Sequence, residues 1–143
     1  MNRLRIILLA FSIISLSCCY SYAQTNTKPV TDSAEKKSLI TTLNPNESLE
    51  DFNKLLNTDK FVLVDFYADW CIPCQKLAPV IKDLANDMAD KITVIRVNQD
   101  NNKALMDQLK VDELPTLLIY QKQTVKWTGI GYFSKDLLKE QFK

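Results

Sequence analysis

A nearly unbroken apolar run, residues 61–68, leads through Asp69 into Trp70-Cys71-Ile72-Pro73-Cys74 and then into a helical repeat of apolar residues. The run Phe61-Val62-Leu63-Val64-Asp65-Phe66-Tyr67-Ala68 is rich in β-branched and aromatic side chains, with Asp65 the interruption. That composition suits a central strand buried on both faces. From Cys71 to about Met88, the residues Leu77, Val80, Ile81, Leu84, Ala85 and Met88 recur at helical spacing. Two thiols three residues apart therefore sit where a buried strand hands over to a helix. They can close on each other as a disulfide if the segment is a helix start, and the context makes the pair a candidate redox site.

The flanking segments read as further elements. Ser48 with Asp51 opens a short amphipathic helix carrying Leu49, Phe52, Leu55 and Leu56. Pro79 inside the 71–88 helix cannot donate to the carbonyl of Gln75, and a kink is expected there. Ile92–Val97 reads as a strand and Lys103–Leu109 as a short helix. Thr116–Tyr120 and Val125–Thr128 read as strands joined by the polar turn Gln121-Lys122-Gln123. Ser134–Phe142 is a closing helix with Leu137, Leu138 and Phe142 on one face. The order mixes parallel crossovers with one hairpin, which predicts an α/β fold with a central mixed sheet and helices on both faces.

Residues 1–23 differ in composition from the rest. Arg3 and Arg5 precede the apolar run Ile6–Leu16, and Ser21-Tyr22-Ala23 is a small-x-small pattern. A charged start, an apolar stretch of ~7–15 residues and such a site make a signal peptide, and spanning a bilayer takes ~20 apolar residues. Cleavage before Gln24 and export to the periplasm are expected, rather than a core helix. Lipidation at Cys18 or Cys19 is the less favoured alternative. Ser15 stands where the bacterial lipobox usually has Leu, and Cys18 is larger than the residue usual before a lipidated Cys19. Residues 24–38, polar and rich in Thr, Ser and Lys, read as a flexible linker, leaving 39–143 as the domain.

Cleavage leaves Cys71 and Cys74 as the only cysteines, four minus Cys18 and Cys19. It also changes the formal charge from +1 to −1, since 18 basic residues lose Arg3 and Arg5 and face 17 acidic ones. No large field points to nucleic acid. The chain has no His, which removes Cys-His nucleophile pairs and Cys/His zinc patterns. A structural bridge over so short a loop gains little entropy, and zinc needs about four ligands. Redox chemistry is favoured over both, with no cofactor and no metal. A helix N-terminus would stabilise a thiolate at Cys71, and Cys74 would lie one turn in, less exposed. Pro73 is tolerated in a first turn, and Trp70 offers an aromatic surface beside the sulfur. Asp65 is a carboxylate in an apolar strand; burial without a full partner should raise its pKa.

The segment Val64 to Cys74 closely resembles the active-site run of thioredoxins. Leu77-Ala78-Pro79 resembles their kinked-helix proline, Val97-Asn98-Gln99-Asp100 a strand-end motif, and Leu114-Pro115-Thr116-Leu117 the cis-proline segment. Gly131 stands where the family has a glycine facing the active site. The resemblance covers about residues 45–143, with the motifs in the family's order. It implies a thioredoxin fold and a protein-disulfide oxidoreductase acting as a monomer on protein disulfides or thiols. Cys71 would attack, Cys74 would resolve the mixed disulfide, and Asp65 would assist proton transfer; the bland reading of Asp65 is a hydrogen-bonded core residue. Trp70, Ile72, Pro73, Leu114, Pro115 and Gly131 would contact substrate. A cis Pro115 would set the Leu114 backbone against Cys71, where an extended peptide could pair.

Three residues depart from the family pattern: Ile72 replaces a usual Gly, Gln75 a common Lys, and Tyr67 a frequent Trp, the last expected to matter least. Arg96 stands where a Lys is common and is a candidate partner for Asp65. The dipeptide between the cysteines tunes the balance of thiolate and disulfide, so the direction of electron flow is open. A reductase or general thiol exchanger served by a membrane thiol donor or acceptor is favoured. A periplasmic disulfide oxidant and a cytochrome c maturation reductase are alternatives. So is a non-enzymatic peptide-binding or chaperone-like module.

Overall fold

The computed structural model describes residues 39–143. Within them run β1 (Ile40–Thr42), α1 (Leu49–Leu55), β2 (Phe61–Tyr67), α2 (Ile72–Asp87), β3 (Ile92–Asn98), α3 (Lys103–Leu109), β4 (Thr116–Gln121), β5 (Thr124–Ile130) and α4 (Lys135–Lys139). The expected leader 1–23, the linker to 38, and Cys18 and Cys19 lie outside the described residues.

The five strands make one sheet in the order β1-β3-β2-β4-β5. β2 pairs parallel with β3 and antiparallel with β4; β5 then pairs antiparallel with β4. The apolar run is thus the central strand, and the mixed α/β expectation holds. Side chains alternate along it. Val62, Val64 and Phe66 join Phe52, Leu56, Leu105 and Met106 in one core, which holds α1 and α3. Leu63 joins Leu77, Ile81, Leu84 and Leu138 in a second core under α2 and α4. Residues 63, 65 and 67 therefore share the α2 side of the sheet.

Four local expectations change. β1 has no counterpart in the sequence reading. Its three residues are half-buried or exposed, and it exists because β3 offers a free parallel edge. The β4–β5 turn shortens to Lys122-Gln123, both with left-handed φ of 48° and 62°, so the two-residue hairpin geometry forms without glycine. α4 ends at Lys139, and Leu137 is 53% exposed while Leu138 is buried. Adjacent helical positions are about 100° apart, so Leu137 and Leu138 cannot both face the core. Leu55 likewise points outward, 42% exposed, leaving Phe52 and Leu56 to anchor α1.

The helix starts match their sequence signals. Ser48 accepts the Asp51 N–H at 3.0 Å, and Ser134 accepts that of Leu137 at 3.4 Å. α2 continues through Pro79 to Asp87. Its end is tied to α4 by Asp87, which takes Lys135 at 2.8 Å and Lys139 at 2.7 Å.

Candidate active site

β2 ends at Tyr67, and α2 begins five residues later at Ile72. Cys71 is the N-cap residue of α2, with extended backbone, and its sulfur accepts the Cys74 N–H at 3.2 Å. The cap places the Cys71 sulfur among the free amides of the first turn. Pro73 takes the second helical position, where no intrahelical partner is lost. Cys71 and Cys74 are joined as a disulfide with Cα atoms 5.2 Å apart. Both are buried, Cys71 at 4% and Cys74 at 2% exposure, so in the oxidised form the expected difference between them is slight. Ala68 completes their cluster, with Tyr67 and Leu114 packed against it.

Two segments close around the pair. The Leu114–Pro115 peptide is cis, and Leu114 touches the cysteine cluster. The Gly131 N–H donates to the Pro115 carbonyl at 2.8 Å, tying the loop after β5 to that segment. Gly131 has φ +95°, a conformation that favours glycine, and the space above it is open. Trp70 is 63% exposed, and its indole N–H donates to Asp100 at 3.0 Å. Ile72, 60% exposed, stands next to Cys71.

Asp65 lies on the α2 face of β2, directly opposite Arg96 of β3. The Arg96 Nε–H donates to its Oδ2 at 2.8 Å, whereas Oδ1 is buried with no hydrogen-bond partner. Burial pushes the Asp65 carboxyl above its ordinary value, and the Arg96 guanidinium pulls part of that rise back. The expected pairing with Arg96 is thus present and incomplete. The guanidinium also lies 3.9 Å over the Tyr67 ring. Tyr67 thus backs the guanidinium that reaches Asp65.

A polar network supports the turn before Cys71. Gln75 donates to the Asp69 carbonyl at 2.6 Å, Asn98 donates to the Asp69 carboxylate at 3.4 Å, and Asn98 accepts the Asp100 N–H at 2.8 Å. Gln75 brings no positive charge to this position, and its amide clamps this turn. Asn102 and Tyr132 fall in no sequence motif of the site. Asn98 ends β3 within the strand-end motif of the sequence, whereas Asn102 precedes α3 and its burial is visible only in the structure.

The domain model named Thioredoxin matches residues 41–143. The chain belongs to the thioredoxin family. It is 39% identical to a thioredoxin of Alicyclobacillus acidocaldarius over 90 residues, covering 63% of this chain and 86% of that protein. It is 38% identical to the Haemophilus influenzae thioredoxin over 84 residues, covering 59% and 78%. The Rickettsia bellii thioredoxin is 33% identical over 87 residues, covering 61% and 83%. Thioredoxins are protein-disulfide oxidoreductases that act on protein disulfides and use no dissociable cofactor, because the cysteine pair is the redox couple. Here that pair is the Cys71–Cys74 disulfide. Among the described residues, no group of three or more His, Cys, Asp or Glu side chains is placed to hold a metal ion.

Proposed function

We propose that this protein is a thiol-disulfide reductase working outside the cytoplasm on disulfide-bearing polypeptides. The Cys71 thiolate attacks one substrate sulfur, and the substrate's other sulfur leaves as a thiolate and takes a proton. The Cys74 thiolate then attacks the Cys71 sulfur, breaks the mixed disulfide and releases the second substrate thiol. Two electrons pass from the dithiol to the substrate, and Cys71–Cys74 becomes the disulfide. A membrane-borne dithiol donor restores the reduced pair by the same exchange.

The observation that carries this reading is Asp65 Oδ1, a buried oxygen without a partner on the face covered by α2. Arg96 occupies the other oxygen, so Oδ1 is the atom free to take the Cys74 proton when that thiol becomes the resolving nucleophile. The short connection from Asn98 to Pro115 is filled by α3 alone, so among the described residues no helical insertion there covers the disulfide. Trp70, Ile72 and Pro73 then present the contact surface, with Leu114, Pro115 and Gly131 opposite. The extracytoplasmic setting rests on the composition of residues 1–23, a charged start, an apolar run and a small-x-small site.

The reduction potential tests the direction. A value near the ~−270 mV of thioredoxins supports the reductase, and one near the ~−120 mV of a strong periplasmic oxidant reverses it. Fractionation of cells producing the full chain tests the setting: retention in the cytoplasm with residues 1–23 intact ends the export reading.

A further inference from the structure

The loop after β5 places an aromatic residue beside the redox pair that none of the steps above uses. Tyr132, 55% exposed, follows Gly131 and lines the same surface depression as Ile72, 60% exposed. With Pro73 and Lys76 these residues line an open groove of about 550 Å³. Its position is set by two tethers. Ile72 is the first residue of α2 after the capping Cys71, and Gly131 is bonded to Pro115, whose neighbour Leu114 packs against the cluster of Ala68, Cys71 and Cys74. The groove therefore starts at the two residues that follow Cys71, and the space over Gly131, the residue before Tyr132, is open.

The chemistry of the walls selects the occupant. Ile72 and Tyr132 are two large apolar side chains of the lining left in water, while most others of their size are in the core. Lys76 is the only charged residue in the lining, and it has no ion-pair partner among the described residues. An apolar side chain seated against Ile72 and Tyr132 removes apolar area of both from water. A carboxylate beside it meets an unpaired ammonium.

We propose that this groove is a specificity subsite: it seats an apolar side chain of the substrate polypeptide close to its disulfide, with an acidic side chain alongside it on Lys76. The inference rests on the reductase reading above and names the substrate class that the site prefers.

The test uses the pre-reduced, desalted full chain in single turnovers, followed by Trp fluorescence. Three peptides carry the same intramolecular disulfide and differ only beside one cysteine, with Leu-Glu, Ser-Glu or Leu-Lys. A small aromatic disulfide normalises each preparation. The Leu-Glu peptide should react about three- to tenfold faster than Ser-Glu, the effect of part-burying one aliphatic side chain. It should react about two- to fivefold faster than Leu-Lys at low salt, the range of an exposed charge pair, and that ratio should shrink toward one in ~1 M salt. Tyr132→Ala should collapse the Leu/Ser ratio, and Lys76→Glu should invert the Glu/Lys ratio. Both residues are exposed, and far-UV circular dichroism confirms that the variants fold. Reduction of the small disulfide with equal rates on all three peptides overturns the subsite alone. Failure on the small disulfide as well overturns the reductase reading with it. Peptide ratios unmoved in Tyr132→Ala, together with a change in sedimentation, would show the groove covered by a second copy and overturn the proposal.

Discussion

Arg96→Met isolates the pair that governs Asp65. The substitution removes the guanidinium and keeps most of the stem. Asp65 is 2% exposed at its side chain and Arg96 22%. Deleting one partner of a fully buried pair costs ~3–5 kcal/mol, and an exposed pair contributes ~0.2–1 kcal/mol. One partner is buried and the other reaches solvent, so the expected cost at pH 8 is about 2 kcal/mol. The dependence on pH follows from the direction of the Asp65 shift. Its carboxyl is raised in the folded state, and Arg96 opposes the rise, so removing Arg96 raises it further. A folded-state value above the unfolded one means that the folded state holds the proton more tightly. Stability is then lost as pH rises from the unfolded value, ~3.9, through the folded one, and below the unfolded value the effect vanishes. The Arg96→Met penalty should therefore shrink toward about 0.5–1 kcal/mol near pH 3.5, the residue being the lost contact over Tyr67. Denaturant unfolding of the oxidised full chain from pH 3.5 to 8 reads this directly. Thermal scans at pH 8 should show a fall of about 8–16 °C, at ~4–8 °C per kcal/mol for a domain of this size. In an Asp65→Asn background the penalty should be about 1 kcal/mol at every pH. An equal penalty at both ends of the pH range, or an unchanged one in that background, would refute the argument that Arg96 acts through the Asp65 charge.

Other outcomes follow from the same geometry. Asp65→Asn should fold and be more stable than the parent at neutral pH but not near pH 3.5, and its disulfide turnover should slow at neutral pH; an unaltered pH–rate profile removes Asp65 from the proton transfer. Cys74→Ser should accumulate mixed disulfides between Cys71 and substrate, seen as mass-shifted adducts that dithiothreitol releases. Their absence, with reduction retained, would favour a binding module in which the thiols are secondary. Gly129→Ala should destabilise by about 1–3 kcal/mol in denaturant melts, because a methyl there collides with the rings of Trp127 and Phe133, which pack edge to face 5.2 Å apart. A stability equal to the parent's would mean that those rings can repack at no cost. Ser48→Ala should cost about 1 kcal/mol through the lost cap on α1, and a melt within 0.3 kcal/mol of the parent, roughly the error of such a comparison, would show that the cap contributes little.

The local signals in the chain determined most of the elements, and for a definite reason. The apolar run at β2, the helical repeat of α2 and the serine caps at Ser48 and Ser134 are short-range patterns, and short-range physics sets them. The redox pair was legible for the same reason: Cys71, Pro73 and Cys74 lie within one helical turn, so their relation is local. Asp65 stood out as a charge in an apolar strand, and Arg96 as its candidate partner. Only the tertiary structure decided what depends on register and on segments far apart in the chain. β1 forms because β3 has a free edge, which no feature of Ile40–Thr42 announces. The pairing of Asp65 leaves one oxygen empty, a matter of angstroms at the β2–β3 register. Tyr67 under Arg96, and Tyr132 in one groove with Ile72, join residues separated by 29 and 60 positions. Such contacts come from how a sheet and its loops close, and a linear pattern carries no record of which side chains that closure brings together.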